Sequence, residues 1–131
     1  MKTVDTNVLL RILINDEKQM EQVKVARHWA KKVKQLFVPQ IVQAELVWVL
    51  DVSYRLAKEE IIPILSHLRE NEAFSLENER VYAVALQLFQ EHHADFSDCL
   101  IWARSRSSEY DIVTFDKKFG RLPHVQLLMG H

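Results

Sequence analysis

Short apolar runs alternate with longer segments of helical periodicity along the whole chain. The predicted strands cover residues 2–4, 36–38, 73–76, 111–115 and 125–128. Strands that are separated by helices tend to pair in parallel, because each crossover helix returns the chain to the same end of the sheet. The alternation therefore predicts a three-layer α/β fold, with a mainly parallel central sheet flanked by helices. With 131 residues, 48% of them hydrophobic, the chain is expected to form a single domain, residues 1–131.

Charge and cysteine content narrow the possible functions. The 17 Lys and Arg residues nearly balance the 18 Asp and Glu residues, so any nucleic-acid site must be local. The single cysteine, Cys99, excludes an internal disulfide and a Cys-rich zinc site, and it fits a reducing cytoplasm. No apolar run reaches about 18 residues and no signal-peptide core is present, so we expect a soluble protein that does not enter a membrane.

Two carboxylates lie three residues apart in the stretch A-D-F-S-D-C-L-I-W-A, residues 94–103, where an apolar helix begins. This spacing puts Asp95 and Asp98 on neighbouring positions of one helix face. Asp95 fits a helix N-cap, with Asp98 at position N3 of a capping-box-like arrangement. That structural explanation is weaker for Asp98, because the apolar residues after it leave its carboxylate little access to water. A buried carboxylate needs a partner, and a metal ion is one candidate.

Another carboxylate follows the first predicted strand. Asp5, Thr6 and Asn7 are three consecutive capping residues, a pattern typical of a strand-to-helix turn. Asp5 can be a plain N-cap. Its carboxylate can also face the crevice at the C-terminal ends of parallel strands, where open α/β sheets bind ligands.

The predicted helix over residues 40–55 contains the run I-V-Q-A-E-L-V-W-V-L, in which only Gln43 and Glu45 are polar. Two positions along a helix are about 200° apart, so both side chains cannot face the solvent. With Gln43 outside, Glu45 is expected to point toward the interior, alongside Ile41 and Trp48. An unpaired charge there costs several kcal/mol, and no Lys or Arg lies within one helical turn. The sequence therefore predicts that Glu45 belongs to a functional site.

Basic residues form two clusters. Lys117, Lys118 and Arg121 follow Asp116 around a predicted turn and can hold substrate phosphates beside it. The second cluster is a helical stripe of Lys24, Arg27, Lys31 and Lys34. A solvated helix face is the favoured interpretation of that stripe.

Four acidic residues can meet at one edge of a parallel sheet. Asp5 and Asp116 end predicted strands, while Glu45 and Asp98 lie near the starts of helices that follow crossovers. Oxygen ligands without Cys or His favour Mg²⁺ or Mn²⁺. Two such ions held by shared carboxylates suit in-line hydrolysis of a phosphodiester. We therefore predict that these four residues are catalytic and bind the metal.

Four motifs, in this order and at this chain length, resemble the PIN-domain family and most closely its VapC-type toxins of prokaryotic toxin–antitoxin pairs. They are V-D-T-N-V-L-L-R at 4–11, V-P-Q-I-V-Q-A-E-L-V-W-V-L at 38–50, A-D-F-S-D-C-L-I at 94–101 and V-T-F-D-K-K-F-G-R-L-P at 113–123. The resemblance covers essentially the whole chain. The family's four acidic positions fall on Asp5, Glu45, Asp98 and Asp116.

The resemblance implies further properties. Thr6 and Asn7 match the polar residues that follow the first acid, and Asp95 matches an accessory acid. Ser97 and Cys99 stand where similar members often carry Ala, and neither difference removes a ligand. The implied protein is a Mg²⁺- or Mn²⁺-dependent endoribonuclease acting on RNA. It is usually a homodimer, alone or in a larger toxin–antitoxin assembly, and is silenced by an antitoxin protein.

Three other functions stay open. A receiver-like phosphoacceptor needs paired acids after its first strand, and the chain supplies only Asp5 there. A PIN-like RNA-binding or interaction domain without catalysis is the stronger alternative, although four intact carboxylates favour catalysis. A purely structural domain would require basic partners for Glu45 and Asp98 within the fold.

Overall fold

The computed structural model describes residues 1–129, which form two compact units: Met1–Glu79, and a second unit that begins at Arg80. The first unit contains β1 (Lys2–Thr3), α1 (Thr6–Leu13), a 3-10 turn (Glu17–Gln19), α2 (Met20–Val33), β2 (Leu36–Val38), α3 (Gln40–Val52), α4 (Lys58–Glu70) and β3 (Phe74–Leu76). Helix α5 (Glu79–Glu91) belongs to the second unit except for its first residue. The second unit also contains α6 (Phe96–Ser107), β4 (Ile112–Thr114), a 3-10 turn (Phe119–Arg121) and β5 (Val125–Leu127).

The described strands pair in parallel. In the first unit the order is β1-β2-β3, with Leu36 opposite both Lys2 and Phe74. In the second unit β4 pairs with β5. The predicted α/β class and parallel pairing are confirmed, with the strands divided between a three-stranded and a two-stranded sheet. Strand β2 has its predicted bounds, whereas the other four strands are shorter than predicted, and both Asp111 and Phe115 lie outside β4.

Apolar helix faces cover the sheet of the first unit. Helix α1 buries Leu9 and Leu10, helix α3 buries Leu46 and Leu50, and β2 contributes Val38. Burying one such side chain stabilises the fold by about 1.5–3 kcal/mol. Helices α1 and α3 also pack against each other, with Asp5 as the N-cap of α1 and Glu45 within α3.

A polar network joins the C-terminal ends of α1 and α3. Arg11, in the last turn of α1, donates to the Tyr54 hydroxyl at 3.2 Å, and that hydroxyl donates to Asp16 Oδ2 at 2.8 Å. The Arg11 Nε also donates to Gln22 Oε1 of α2 at 2.8 Å. The hydrogen bond from Tyr54 lowers the pKa of Asp16, whereas partial burial, followed by the bond to Asp16, raises the pKa of Tyr54.

Aromatic packing organises the second unit. Phe96, at the start of α6, lies edge-to-face against Tyr82 and Phe89 of α5, with ring centroids 5.9 and 5.5 Å apart. Trp102 of α6 donates its indole N–H to the Pro123 carbonyl at 2.8 Å. Both contacts hold α6 in place, and with it Asp98 in its first turn.

In the part of the chain that is described, the helices are too short or too polar to cross a lipid bilayer.

Candidate active site

Asp5 links the end of β1 to the start of α1. It has the extended backbone of an N-cap, and its Oδ1 accepts the Val8 backbone N–H at 2.9 Å. The predicted capping role is therefore confirmed, and it occupies only one of the two carboxylate oxygens. Asp5 and Asn7 are exposed and line a groove of about 710 Å³, whose surface is more apolar than polar and which reaches Val25 and Trp29 of α2.

Glu45 is exposed on α3, and the prediction that it points toward the interior is wrong. The buried polar residue is instead Gln43, which has no exposed surface. Ile41 and Trp48 share the Glu45 face as predicted, but that face is the exposed one, since they are 70% and 62% accessible. Thr6, at the start of α1, donates its hydroxyl to Glu45 Oε1 at 3.1 Å. The α1 and α3 helices thus bring Thr6 and Glu45 together.

Asp98 is half-buried in the first turn of α6, in agreement with its predicted restricted access to water. Asp95, Asp98 and Asp116 line one cavity of about 420 Å³ in the second unit. Burial raises the pKa of Asp98, and the neighbouring carboxylates of Asp95 and Asp116 raise it further. Concentrated negative charge of this kind disfavours ionisation and attracts cations.

Two turns place the remaining carboxylates of that cavity. Asp95 is the N-cap residue of α6, but its side chain makes no capping hydrogen bond, so the predicted capping box is wrong. The Asp95 carboxylate is exposed beside Asp98. Asp116 Oδ1 accepts the backbone N–H groups of Lys118 at 2.8 Å and Phe119 at 3.0 Å, which fixes that carboxylate over the turn after β4.

Two of the three predicted phosphate-binding residues line the same cavity. Lys117 and Lys118 are exposed and form part of its wall. Arg121, three residues after Lys118, is exposed and lies outside the lining of this cavity. In the helical stripe, Arg27 is not simply solvated, since its Nε donates to the Ile12 carbonyl at 3.1 Å.

The predicted site residues thus form two groups, one in each compact unit. Thr6 contacts Glu45 in the first unit, whose Asp5 and Asn7 share the groove wall. Asp95, Asp98 and Asp116 share a cavity in the second unit. Among residues 1–129, no set of three or more Asp, Glu, His or Cys side chains has the arrangement of a metal site. Convergence of all four predicted ligands stays a prediction.

Comparison with known proteins decides the family. The PIN domain family model matches residues 2–125, which span both units. The chain belongs to the PIN-domain family. A VapC ribonuclease from Aquifex aeolicus (strain VF5) is 29% identical over 124 residues, which is 93% of this chain and 92% of that protein.

Two features of this PIN domain were missed from sequence. The burial of Gln43 was missed because α3 is apolar on nearly every side, so its hydrophobic pattern does not distinguish the inward face. The groove beside Asp5 was missed because its walls come from β1, α1 and α2 together. The spacing of Val25 and Trp29, four residues apart on α2, was the available signal.

Proposed function

We propose that this PIN domain is the toxin component of a type II toxin–antitoxin pair, acting in the cytoplasm as a metal-dependent endoribonuclease. The observation that carries the proposal is the cavity in which Asp95, Asp98 and Asp116 lie beside Lys117 and Lys118. Its carboxylates suit a divalent cation, and its lysines suit the phosphates of a nucleic acid. The relative named as a ribonuclease supports RNA as the substrate.

The proposed ligands of Mg²⁺ or Mn²⁺ are Asp5, Glu45, Asp98 and Asp116. Their oxygen-only chemistry fits these ions, and the crowding that raises the pKa of Asp98 fits a site completed by positive charge. These four carboxylates would hold the ion, and a bound ion would supply the activation of water and the stabilisation of the leaving oxygen of the phosphodiester.

The remaining polar residues have supporting roles. The Thr6 hydroxyl holds one oxygen of Glu45, and the backbone N–H groups of Lys118 and Phe119 hold one oxygen of Asp116. Each contact limits the rotation of a carboxylate that must face the substrate. Asn7 beside Asp5, and Asp95 beside Asp98, are the proposed accessory residues.

The first test is cleavage of a single-stranded RNA by the purified protein in Mg²⁺, Mn²⁺ or EDTA. We expect cleavage with either metal and none in EDTA. Because water is the proposed nucleophile, the products should lack 2′,3′-cyclic phosphate ends. Asp111→Asn, at an exposed residue ion-paired with Arg106, is the control that should retain activity. RNA binding without cleavage under every condition would favour the non-catalytic alternative instead.

Neutralising Lys117, Lys118 and Arg121 together, as Gln, should weaken RNA binding and flatten its dependence on salt. Each phosphate contact that is lost should reduce the slope of log K against log salt concentration by about 0.7 for a single strand. Fluorescence anisotropy at several salt concentrations, without metal, measures the slope. The control is Lys24→Gln with Lys31→Gln and Lys34→Gln, in the helical stripe. A slope that changes only in this control would indicate that the RNA contacts the helical stripe instead.

We further propose that an antitoxin inhibits the site with a basic residue near the carboxylates and apolar residues in the groove beside Asp5. The candidate partner is the product of a small gene adjacent to this one. On co-expression, Val25→Glu should weaken the complex at least about tenfold, because it places a charge in the apolar groove. Val113→Glu is the matched control, since Val25 and Val113 are 69% and 61% exposed. Equal effects of the two variants would indicate that the antitoxin binds elsewhere.

A homodimer is the proposed assembly of the toxin.

A further inference from the structure

Helix α3 has two faces that are both apolar enough to be buried. The buried set is Val42, Gln43, Leu46, Val47 and Leu50. The opposite face carries Ile41, Trp48 and Val52, which are 70%, 62% and 50% exposed. Rotating the helix about its axis would exchange one apolar set for the other. Hydrophobic burial alone therefore leaves the rotational position of α3 weakly determined.

Gln43 makes a contact that an apolar residue could not make. Its Nε2 donates to the Val38 carbonyl at 3.1 Å and to the Glu77 carbonyl at 3.0 Å. Val38 ends β2 and Glu77 follows β3, so one side chain bridges two adjacent strand ends. Because both partners are acceptors, the group that faces them must be the amide nitrogen.

The residues that follow β3 also hold the first turn of α3. The N-cap residue, Pro39, makes no side-chain capping bond. Instead Glu77 Oε1 accepts the backbone N–H of Gln40 at 2.7 Å, and Asn78 donates to Gln40 Oε1 at 3.2 Å. These bonds fix the position of the helix start, while Gln43 fixes which side of the helix turns inward.

We propose that Gln43 is a positioning residue that sets the rotation of α3 and so presents Glu45 at the exposed surface. Glu45 lies two residues further along, about 200° around the axis, so an inward Gln43 requires an outward Glu45. The Thr6 hydroxyl then meets Glu45 at 3.1 Å. The importance of this for catalysis rests on the proposed function, but the rotation itself does not.

Burying Gln43 costs free energy of folding, and this cost supports a role in specifying the structure. Among residues 1–129, its Oε1 is a buried side-chain oxygen without a hydrogen-bond partner, and Gln43 is the buried polar residue of the core. An apolar residue of similar size would avoid that desolvation penalty. A single buried polar side chain can fix one packing arrangement among several at the expense of stability, as Asn does in coiled coils.

Trp48 reports the rotation directly, because it shares the outward face with Glu45. In a Trp29→Phe, Trp102→Phe background, Trp48 is the only tryptophan. Gln43→Met keeps the side-chain volume and removes the amide, so we expect α3 to lose its fixed rotation. The acrylamide quenching constant of Trp48 should then fall at least about twofold, since an inward tryptophan is shielded. Leu46→Ala, a buried change in the same helix that keeps the amide bridge, should leave the quenching constant unchanged.

RNA cleavage by the same variants, with the native tryptophans, links the rotation to Glu45. We expect Gln43→Met to lower kcat at least about tenfold, because Glu45 leaves the surface, and Leu46→Ala to retain kcat at a temperature where both are folded. Unchanged Trp48 quenching in Gln43→Met would overturn the proposal. Reduced quenching with unchanged kcat would uphold the rotation and refute the role of Glu45. If the wild type cleaves no RNA, the proposed function fails, and quenching still decides the rotation.

A measurement on the wild type covers the case in which Gln43→Met does not fold. Both Nε2 protons of Gln43 should exchange with deuterium at least about a thousandfold more slowly than those of an exposed glutamine such as Gln126, because they are buried and bonded. Side-chain amide signals in NMR spectra give both rates. Equally fast exchange would overturn the proposal without any variant.

Discussion

Replacing Glu45 by Gln should abolish metal-stimulated RNA cleavage while the protein remains folded. We expect a loss of at least about 100-fold in kcat, because an uncharged amide cannot supply the carboxylate that the metal requires. The fold should survive, since Glu45 is exposed and Gln retains an oxygen that can accept the Thr6 hydroxyl. Exposed substitutions of this kind change the free energy of unfolding by about 0.5 kcal/mol or less.

The measurement is RNA cleavage in saturating Mg²⁺ or Mn²⁺, with a thermal melt of each protein in EDTA. Glu59→Gln, at an exposed glutamate of α4, makes the same chemical change away from the proposed site and should cleave normally. Wild-type cleavage by the Glu45 variant would remove Glu45 from the ligand set. Loss of activity with a large drop in melting temperature would instead indicate a structural role.

Asp98→Asn should also abolish cleavage, yet leave the metal-free protein at pH 7 at least as stable as the wild type. Burial and the carboxylates of Asp95 and Asp116 raise the folded-state pKa of Asp98. The folded state therefore binds more protons than the unfolded state. The stabilising contribution is fully present below the unfolded pKa and is lost as the pH rises through the folded pKa. Above the folded pKa, the ionised carboxylate destabilises the apo protein, and Asn removes that repulsion.

Metal binding should reverse this loss, because the ion binds only the folded form. The experiment is a set of thermal melts of wild type and Asp98→Asn, from acidic to neutral pH, in EDTA and at neutral pH in Mn²⁺. In EDTA, the melting temperature of the wild type should fall with rising pH relative to that of Asp98→Asn. At neutral pH, Mn²⁺ should raise the melting temperature of the wild type more than that of the variant. Asp111→Asn is the contrast, since it removes exposed pairs with Arg106 and His124 and should change little. A strongly destabilised Asp98 variant in EDTA, with no metal response in the wild type, would identify a structural ion pair.

The sequence was informative where local chemistry decides the structure. Capping chemistry predicted that Asp5 starts α1, and the apolar residues after Asp98 predicted its restricted access to water. Both properties depend on a few neighbouring residues. The same local reasoning was wrong for the Asp95 side chain, whose carboxylate lines a cavity with Asp116 rather than capping its helix. The position of the Asp95 carboxylate in the fold, beside Asp98 and Asp116, could not be predicted from the residues next to it in the sequence.

Helix rotation is the clearest limit of sequence reasoning in this chain. The pattern of α3 correctly required Gln43 and Glu45 to point to different sides, but it did not tell which side was inward. That choice depends on the Val38 and Glu77 carbonyls, which lie 5 and 34 residues from Gln43 in the sequence. Acceptors at the ends of two different strands cannot be recognised before the strands are placed.

The Arg11–Tyr54 contact has a mechanical consequence for the two helices that carry Asp5 and Glu45. The Thr6–Glu45 hydrogen bond couples these helices at the candidate site, and Arg11 with Tyr54 couples them again at the opposite end of α1. Two contacts at opposite ends of α1 keep the two helices from separating and from sliding along each other. A single contact would leave them free to rotate about it. A metal ion at the proposed ligands Asp5 and Glu45 would therefore bind to helices that are already held in position. Little of its binding energy would be spent on bringing the helices together.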